Sequence, residues 1–414
     1  MWSRQLWLYL ASRFCSATGL MMLRTAVAWH VYDLSRSAFH LGLVGLVQFL
    51  PIPPLMLVGG ALADAWDRRR IMMLAQGVVL ACGAVLALAT WRGAASLGLL
   101  YAAVVVVGAT WAFDAPSRAA LLPTLVPRAE FPRAVTLAGT NQALAFATGP
   151  AACGWTIATA GIAAAYAAQV ALVAASLVTL ALLHVPRRVA AAGTFSLRGI
   201  REGLGFVRRS QVILGCMTLD MLAVVFGGAA AMLPIYATDI LQVGARGYGL
   251  LASSLDIGAL LMSFLLIGLP PVERAGRALL AAVAVYGVAT IVFGLSRWFP
   301  LSIAAYMVVG MADQVSVVMR GTAIQLSTPD ALRGRVSGVN MIFIGASNQL
   351  GAAESGFLAA LTSPTFSVVS GGLASLVVLV VVALALPKLR RYRVSAEPPQ
   401  DAGAASMPER ATSS

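Results

Sequence analysis

Gly59-Gly60-Ala61-Leu62-Ala63-Asp64-Ala65-Trp66-Asp67-Arg68-Arg69-Arg70 is a charged break between two apolar runs, 39–63 and 71–91. An α-helix needs about 20 mostly apolar residues to cross a bilayer, and each run supplies them. Charged side chains are costly in hydrocarbon, so two acids and three arginines in succession belong at a membrane surface. The stretch therefore reads as a short loop joining one membrane-spanning helix to the next.

The same alternation runs outward along the chain. Apolar runs at 6–32, 39–63, 71–91, 96–117, 134–158, 161–185, 211–237, 248–269, 278–296, 299–322, 336–361 and 366–386 predict twelve spans. Of the 414 residues, 59% are hydrophobic and only 11% charged, against about 25% charged in a soluble domain. No segment shows strand-like alternation, so helices rather than a barrel are expected. With the N-terminus inside, 23 of 29 basic residues fall on the cytoplasmic side, at Arg4, 64–70, 114–134, 186–211, 270–278, 320–336 and from Lys388 onward. Arg36, Arg92, Arg246 and Arg297 fall on the other side, while Arg13 and Arg24 lie within the first span. This bias is the positive-inside pattern. The net charge of +13 thus reports topology, with both termini cytoplasmic, and no nucleic-acid partner is expected.

The four cysteines all lie within apolar runs and read as small buried hydrophobes. Arg13 and Arg24 interrupt the first apolar run, so a retained first span is expected rather than a cleaved signal. No histidine pair has metal-ligand spacing, no GxxxxGK[ST] loop occurs and no hydrolase constellation is present. Neither an enzyme nor a cofactor is expected.

The polar stretch 186–210 divides the chain into six spans and six spans, and Ile200, Leu204, Phe206 and Val207 give it an amphipathic pattern suited to a surface helix. The expected organisation is an N-terminal half over 1–185, a cytoplasmic linker over 186–210, a C-terminal half over 211–387 and a disordered tail over 388–414. The halves repeat. Arg118, Pro127, Ala129, Arg133, Gly149 and Gly154 match Arg320, Pro329, Ala331, Arg335, Gly351 and Gly356 at a constant offset of 202. Parallel repeats of this kind occur in transporters whose halves rock about a central site.

Ionisable residues inside spans are costly and so are candidate functional groups: Asp220, Asp313, Asp256, Glu354 and Arg24. The acids suit proton binding or static pairing, and Arg24 suits an acid or an anionic substrate. Gln48, with Asn141, Gln142, Asn348 and Gln349, either lines a cavity or bonds neighbouring helices. Trp29, Tyr32, Trp91, Trp298 and Phe299 sit close to span boundaries, where aromatic anchors are usual.

The 59–70 stretch resembles the loop signature of the major facilitator superfamily, with Asp67 where a second glycine usually stands. Trp29–Ser35, Leu41–Pro51, Ala115–Pro127 and Leu197–Val207 look like the branch that holds enterobactin-export and macrolide-efflux proteins. The resemblance implies an all-α membrane protein of twelve helices in two pseudo-symmetric six-helix halves, monomeric, in a bacterial inner membrane. It also implies a cytoplasmic gate in which Gly60, Asp64 and Arg68 latch the two halves, with Arg118 and Arg320 at the equivalent loops. Gly149-Pro150-Ala151-Ala152-Cys153-Gly154 resembles the glycine–proline motif of drug–proton antiporters, with Cys153 for a usual glycine; it serves helix bending and packing. The arginine that many such antiporters carry in the fourth span is missing, because 97–113 holds no charge. The implied function is export of a small amphipathic, drug- or siderophore-like molecule by alternating access with proton antiport. A nutrient importer on the same fold and a non-transporting membrane sensor are the alternatives.

Overall fold

The computed structural model describes residues 4–52, 54–55, 67–184, 197–270 and 272–393. Among these the chain is helical, with no strand. The N-terminal half consists of α1 (Arg4–Ser35), α2 (Ala38–Phe49), α3 (Arg68–Trp91), α4 (Leu97–Leu125) and α5 (Phe131–Ala181). After α6 (Leu197–Arg209) the C-terminal half follows: α7 (Gln211–Phe226), α8 (Gly244–Gly268), α9 (Ala275–Leu295), α10 (Phe299–Ser327), α11 (Asp330–Leu361) and α12 (Pro364–Ala385).

Local chemistry sets the helix ends. The side chains of Asp67, Ser96, Ser210 and Ser363 accept a backbone N–H from the first turns of α3, α4, α7 and α12, satisfying donors that the helix itself leaves unpaired. Proline stands in the first turn of α10 and α12, where its missing N–H costs nothing. Gly161, at φ 85°, breaks α5 into two arms, a backbone conformation that a residue with a Cβ rarely adopts. Between α7 and α8 the chain passes through a 3-10 turn (Ala229–Met232), a short helix (Leu233–Ile235) and a π-helical turn (Tyr236–Ile240).

Nine helical stretches among the described residues are long and apolar enough to cross a membrane. The twelve expected spans and these nine differ for physical reasons. The fifth and sixth expected spans lie in the two arms of α5, one helical stretch. α2 has 12 residues, and the second expected span continues into 56–63, outside the described residues. α11 carries Arg333, Arg335, Asn340, Asn348, Gln349 and Glu354 and is not among the nine. Residues 186–196 of the expected linker and 394–414 of the expected tail also lie outside the described residues. Leu197–Arg209 forms α6, which lies against α11, where Glu202 and Arg335 make an ion pair.

The two halves meet at one end. α1 and α4 run in opposite directions, so residues early in α1 and late in α4 share the arginine-rich end, while Ser35 and Leu97 lie at the far end. At the far end α5 crosses α8 and α11 crosses α2. A Cβ on Gly249 would lie 2.8 Å from the Gly154 Cα and 2.6 Å from the Pro150 carbonyl. A Cβ on Gly42 would lie 2.9 Å from the Gly356 Cα. Backbones can approach this closely only where both partners are small. One buried apolar cluster there joins both halves, with Met22, Val31 and Tyr166 packed alongside Met232, Tyr236 and Tyr248. Toward the arginine-rich end the buried clusters separate by half: Leu6, Tyr9, Leu121 and Leu180 on one side, Ile213, Met217 and Val336 on the other.

Candidate functional site

Between α1, α3, α4 and α5, on the arginine-rich side of these crossings, lies a cavity of about 310 Å³. That is the lower end of the range typical of small-molecule sites. Most of its wall belongs to the N-terminal half, and Met341 of α11 contributes from the other. Apolar groups, including Leu20, Val79, Trp111 and Phe146, supply most of the surface. Charge enters through Arg13 and Arg24 of α1 and the Asp114–Arg118 pair of α4.

Each of these charges has a distinct environment. Asp114 and Arg118 are four residues apart and so share one helix face. The guanidinium grips the carboxylate through Nε to Oδ2 at 3.0 Å and Nη2 to Oδ1 at 3.0 Å, a charge-assisted bidentate contact. Arg13 donates through Nη1 to the Tyr9 hydroxyl at 3.0 Å and through Nη2 to the Gln142 carbonyl oxygen, both neutral. The Tyr9 hydroxyl in turn donates to the Arg118 carbonyl at 3.4 Å, tying α1 to α4. The Arg13 Nε is buried with no partner. Arg24, about two turns deeper along α1 than Ala17 of the same cavity, makes neither ion pair nor hydrogen bond among the described residues.

The C-terminal half holds the intramembrane acids. Asp220 of α7 pairs with Arg320 of α10, and both side chains are at most 8% exposed. Ser316 stands one turn before Arg320 and donates to the Asp220 Oδ1 at 3.2 Å. Asp220, Ser316, Asp313 and Tyr286 border a void of about 10 Å³ between α7, α9 and α10, roughly the space of one water. Asp256 of α8 lies within electrostatic reach of Asp313. Asp313 itself makes no ion pair among the described residues.

The structure thus brings Asp220, Asp313 and Arg320 together, with Asp256 nearby. Arg320, expected at the gate beside Arg118, is only 3% exposed and serves as the partner of Asp220 inside its own half. Arg118 lines the cavity. Gly60 and Asp64 lie outside the described residues, and Arg68 opens α3. Arg24 stands in the N-terminal cavity, apart from the acids. Gln48 is buried, with its backbone carbonyl against Gly108, and Glu354 accepts from the Ser355 hydroxyl at 3.3 Å. Gly149 abuts Met21 and Thr18 of α1, so the Gly149–Gly154 segment is clasped between α1 and α8. Sequence reasoning missed Asp114, Arg13, Ser316 and the far-end contact in which the Tyr32 hydroxyl donates to Asp239. The four-residue spacing of Asp114 and Arg118 was a usable signal for the first. The others depend on which helices become neighbours.

Comparisons with known proteins agree with this architecture. The model of the transmembrane secretion effector family matches residues 3–409. The enterobactin exporter EntS of Shigella boydii serotype 18 is 26% identical over 399 residues, 94% of this chain and 93% of the relative. Escherichia coli O1:K1 has an enterobactin exporter EntS with the same identity and coverage. A peptide-transporter (POT) family structure, in complex with a thioalcohol-conjugated peptide, superposes with a TM-score of 0.73 at 12% identity, covering 93% of this chain and 96% of that one. A bacterial homologue of the human lysosomal transporter Spinster superposes with a TM-score of 0.68 at 15% identity, covering 95% and 100%. At these identities the solved structures speak for the fold. The family match spans nearly the whole chain: this is a transporter of the transmembrane secretion effector family within the major facilitator superfamily, and not an enzyme.

Proposed function

We propose that the protein exports a small amphipathic molecule from the cytoplasm of a bacterial cell by alternating access, exchanging it for protons. The observation that carries this reading is the asymmetry of the inter-half packing. Glycine crossings close the far end, while the apolar clusters of the halves separate on the arginine-rich side, where the cavity lies. On the positive-inside pattern the arginine-rich end is cytoplasmic, and with it both termini. The described state is then the one that loads cargo from inside. Residues 1–185 and 211–387 would rock as two bodies about the cavity, with 186–210 as linker and the protein acting as a monomer. The name of the EntS relatives favours outward transport.

In this reading Asp313 and Asp220 carry the exchanged proton. They share a water-sized void, and Arg320 would stay paired with Asp220 until the helices shift. Gly60, Asp64, Arg68 and Arg118 would close the cytoplasmic gate in the opposite state.

Proteoliposomes carrying the protein test both parts. An outward-directed cargo gradient should move protons the other way, and Asp313→Asn should abolish that movement while leaving cargo binding intact. Proton movement unchanged in Asp313→Asn removes this acid from the mechanism. Accumulation of cargo by whole cells, in place of its depletion, overturns the direction of transport.

A further inference from the structure

The N-terminal cavity has a charge imbalance that the protein does not resolve by itself. Three arginines line it and one acid, Asp114, which Arg118 already holds in a bidentate grip. Arg13 is bound only to neutral oxygens, and its Nε is buried without a partner. Arg24 has no hydrogen-bond or ion-pair partner among the described residues. The intramembrane acids that could neutralise it reside in the other half, where Asp220 is committed to Arg320.

Arg24 is exposed to the cavity and Arg13 is half-buried beside it, and charges at membrane depth that face a cavity are kept where they meet a ligand or a partner. Guanidinium groups are suited to planar oxyanions, which they bind through paired N–H donors. Trp111 of α4 and Phe146 of α5 line the same cavity, flat apolar surfaces with room for a ring. Gln142 already shares its carbonyl oxygen with Arg13, so its amide nitrogen remains a further donor for an oxygen ligand.

We propose that Arg13 and Arg24 form a binding site for an organic anion, a carboxylate or acidic phenolate carried on an aromatic body that lies against Trp111 and Phe146. The proposal rests on the reading of this cavity as the cargo site. It adds to that reading a charge class: the amphipathic cargo is anionic, unlike the cationic drugs that an acid-lined cavity would select.

Three naphthalene probes with the same ring separate charge from apolar burial: 1-naphthoate, 1-naphthylmethanol and 1-naphthylmethylammonium. Their binding to the purified full-length protein in nanodiscs is measured by equilibrium dialysis. Naphthoate is expected to bind about 10- to 100-fold tighter than the neutral alcohol, the value of one or two charge-assisted contacts, and the ammonium weakest. Arg24→Gln should erase most of that preference while leaving the alcohol's affinity unchanged. Arg24→Lys should keep part of it, because the charge stays and the fork geometry goes. The retained affinity for the alcohol shows that the variant is folded. Equal binding of the three probes, or a naphthoate preference unchanged in Arg24→Gln, overturns the site. An anion preference intact in Arg24→Gln but lost in Asp256→Asn or Asp313→Asn would likewise overturn it, since the second half would then set the selectivity. Binding needs no flux, so a confirmed site in a protein that fails to expel naphthoate from cells refutes the export reading and leaves the site standing.

Discussion

Arg118 in the first half and Arg320 in the second occupy equivalent places in a duplicated chain, yet the structure uses them differently. Arg118 pairs with Asp114 on its own helix, and the two side chains are 13% and 22% exposed at the cavity wall. Arg320 reaches across to Asp220 on α7, with side chains at 4% and 8% exposure. At the offset of 202 the position of Asp114 corresponds to Ser316, which has become a donor to Asp220. The position of Asp220 corresponds to Thr18, a buried residue whose hydroxyl has no partner. The acid has in effect changed helix between the halves. A pair within one helix orients a side chain and leaves the neighbouring helices free to slide. A pair between two helices ties their relative position to the ionisation of its carboxylate. On the proposed mechanism the second arrangement would couple a proton to a movement, while the first holds a wall.

Breaking the cross-helix pair should therefore produce the largest effect. Arg320→Gln leaves a buried carboxylate with the Ser316 hydroxyl as its donor and Asp313 across the void, and loss of one partner from a buried pair costs about 3–5 kcal/mol. Purified Arg320→Gln protein should melt well below the parent and transport nothing. Adding Asp220→Asn should restore much of the melting temperature, because the uncompensated charge is gone, without restoring proton-linked flux. If the double variant transports normally, the pair is structural alone.

The glycine crossings should come next. Gly154→Val places side-chain atoms where the Gly249 backbone lies, and Gly356→Val does the same against Gly42. Neither backbone can retreat without parting the halves at the far end, so each variant should favour the state open at that end. Cysteine labelling inside the cavity from the cytoplasmic face should fall several-fold in both, with equal effects if the two crossings are equivalent. A loss confined to one would show that the halves do not share the closure evenly.

The balance of what was legible follows the range of the interactions. Apolar runs and arginine clusters act over a single span, so the helical membrane fold and the pseudo-symmetry could be read directly from spacing. The offset of 202 already linked Gly154 to Gly356 and Arg118 to Arg320. Their partners Gly249, Gly42 and Asp220 could not be read, because each lies on a helix remote in sequence and carries no periodic mark. Gly161 was hidden for another reason. A single glycine with positive φ among alanines is indistinguishable from one that packs. The acids of the second half looked like separate candidates along the chain, and only the packing of α7, α9 and α10 made Asp220 and Asp313 neighbours.

Within the first half the corresponding changes should be smaller. Asp114→Asn removes an ion pair between neighbouring positions of one helix at a partly hydrated wall, worth about 0.3–1 kcal/mol. The variant should melt within a few degrees of the parent. It also frees Arg118 and raises the positive charge of the cavity. Naphthoate affinity should then rise modestly while that of the neutral naphthylmethanol stays the same. A melting loss as deep as that of Arg320→Gln would erase the contrast between the halves.

The smallest effect on melting is expected at the far end, where the Tyr32 hydroxyl donates to Asp239 across the two halves, close to Trp29 stacked on Tyr248 at 5.3 Å. Tyr32→Phe keeps the ring in its apolar cluster and deletes one hydrogen bond, so it should cost about 0.5–1.5 kcal/mol of this closed state. That corresponds to a shift of roughly 2- to 10-fold in the equilibrium between the two open states. The bond is absent once the far end parts, so the change acts on one state and not on the protein's overall folding. Transport should therefore change in rate with little change in melting temperature. Distances measured between spin labels on α2 and α11 should show more of the state open at the far end. If the distance distribution is unmoved, the glycine crossings alone hold that end shut, and the hydrogen bond contributes only to the local packing of the π-helical turn.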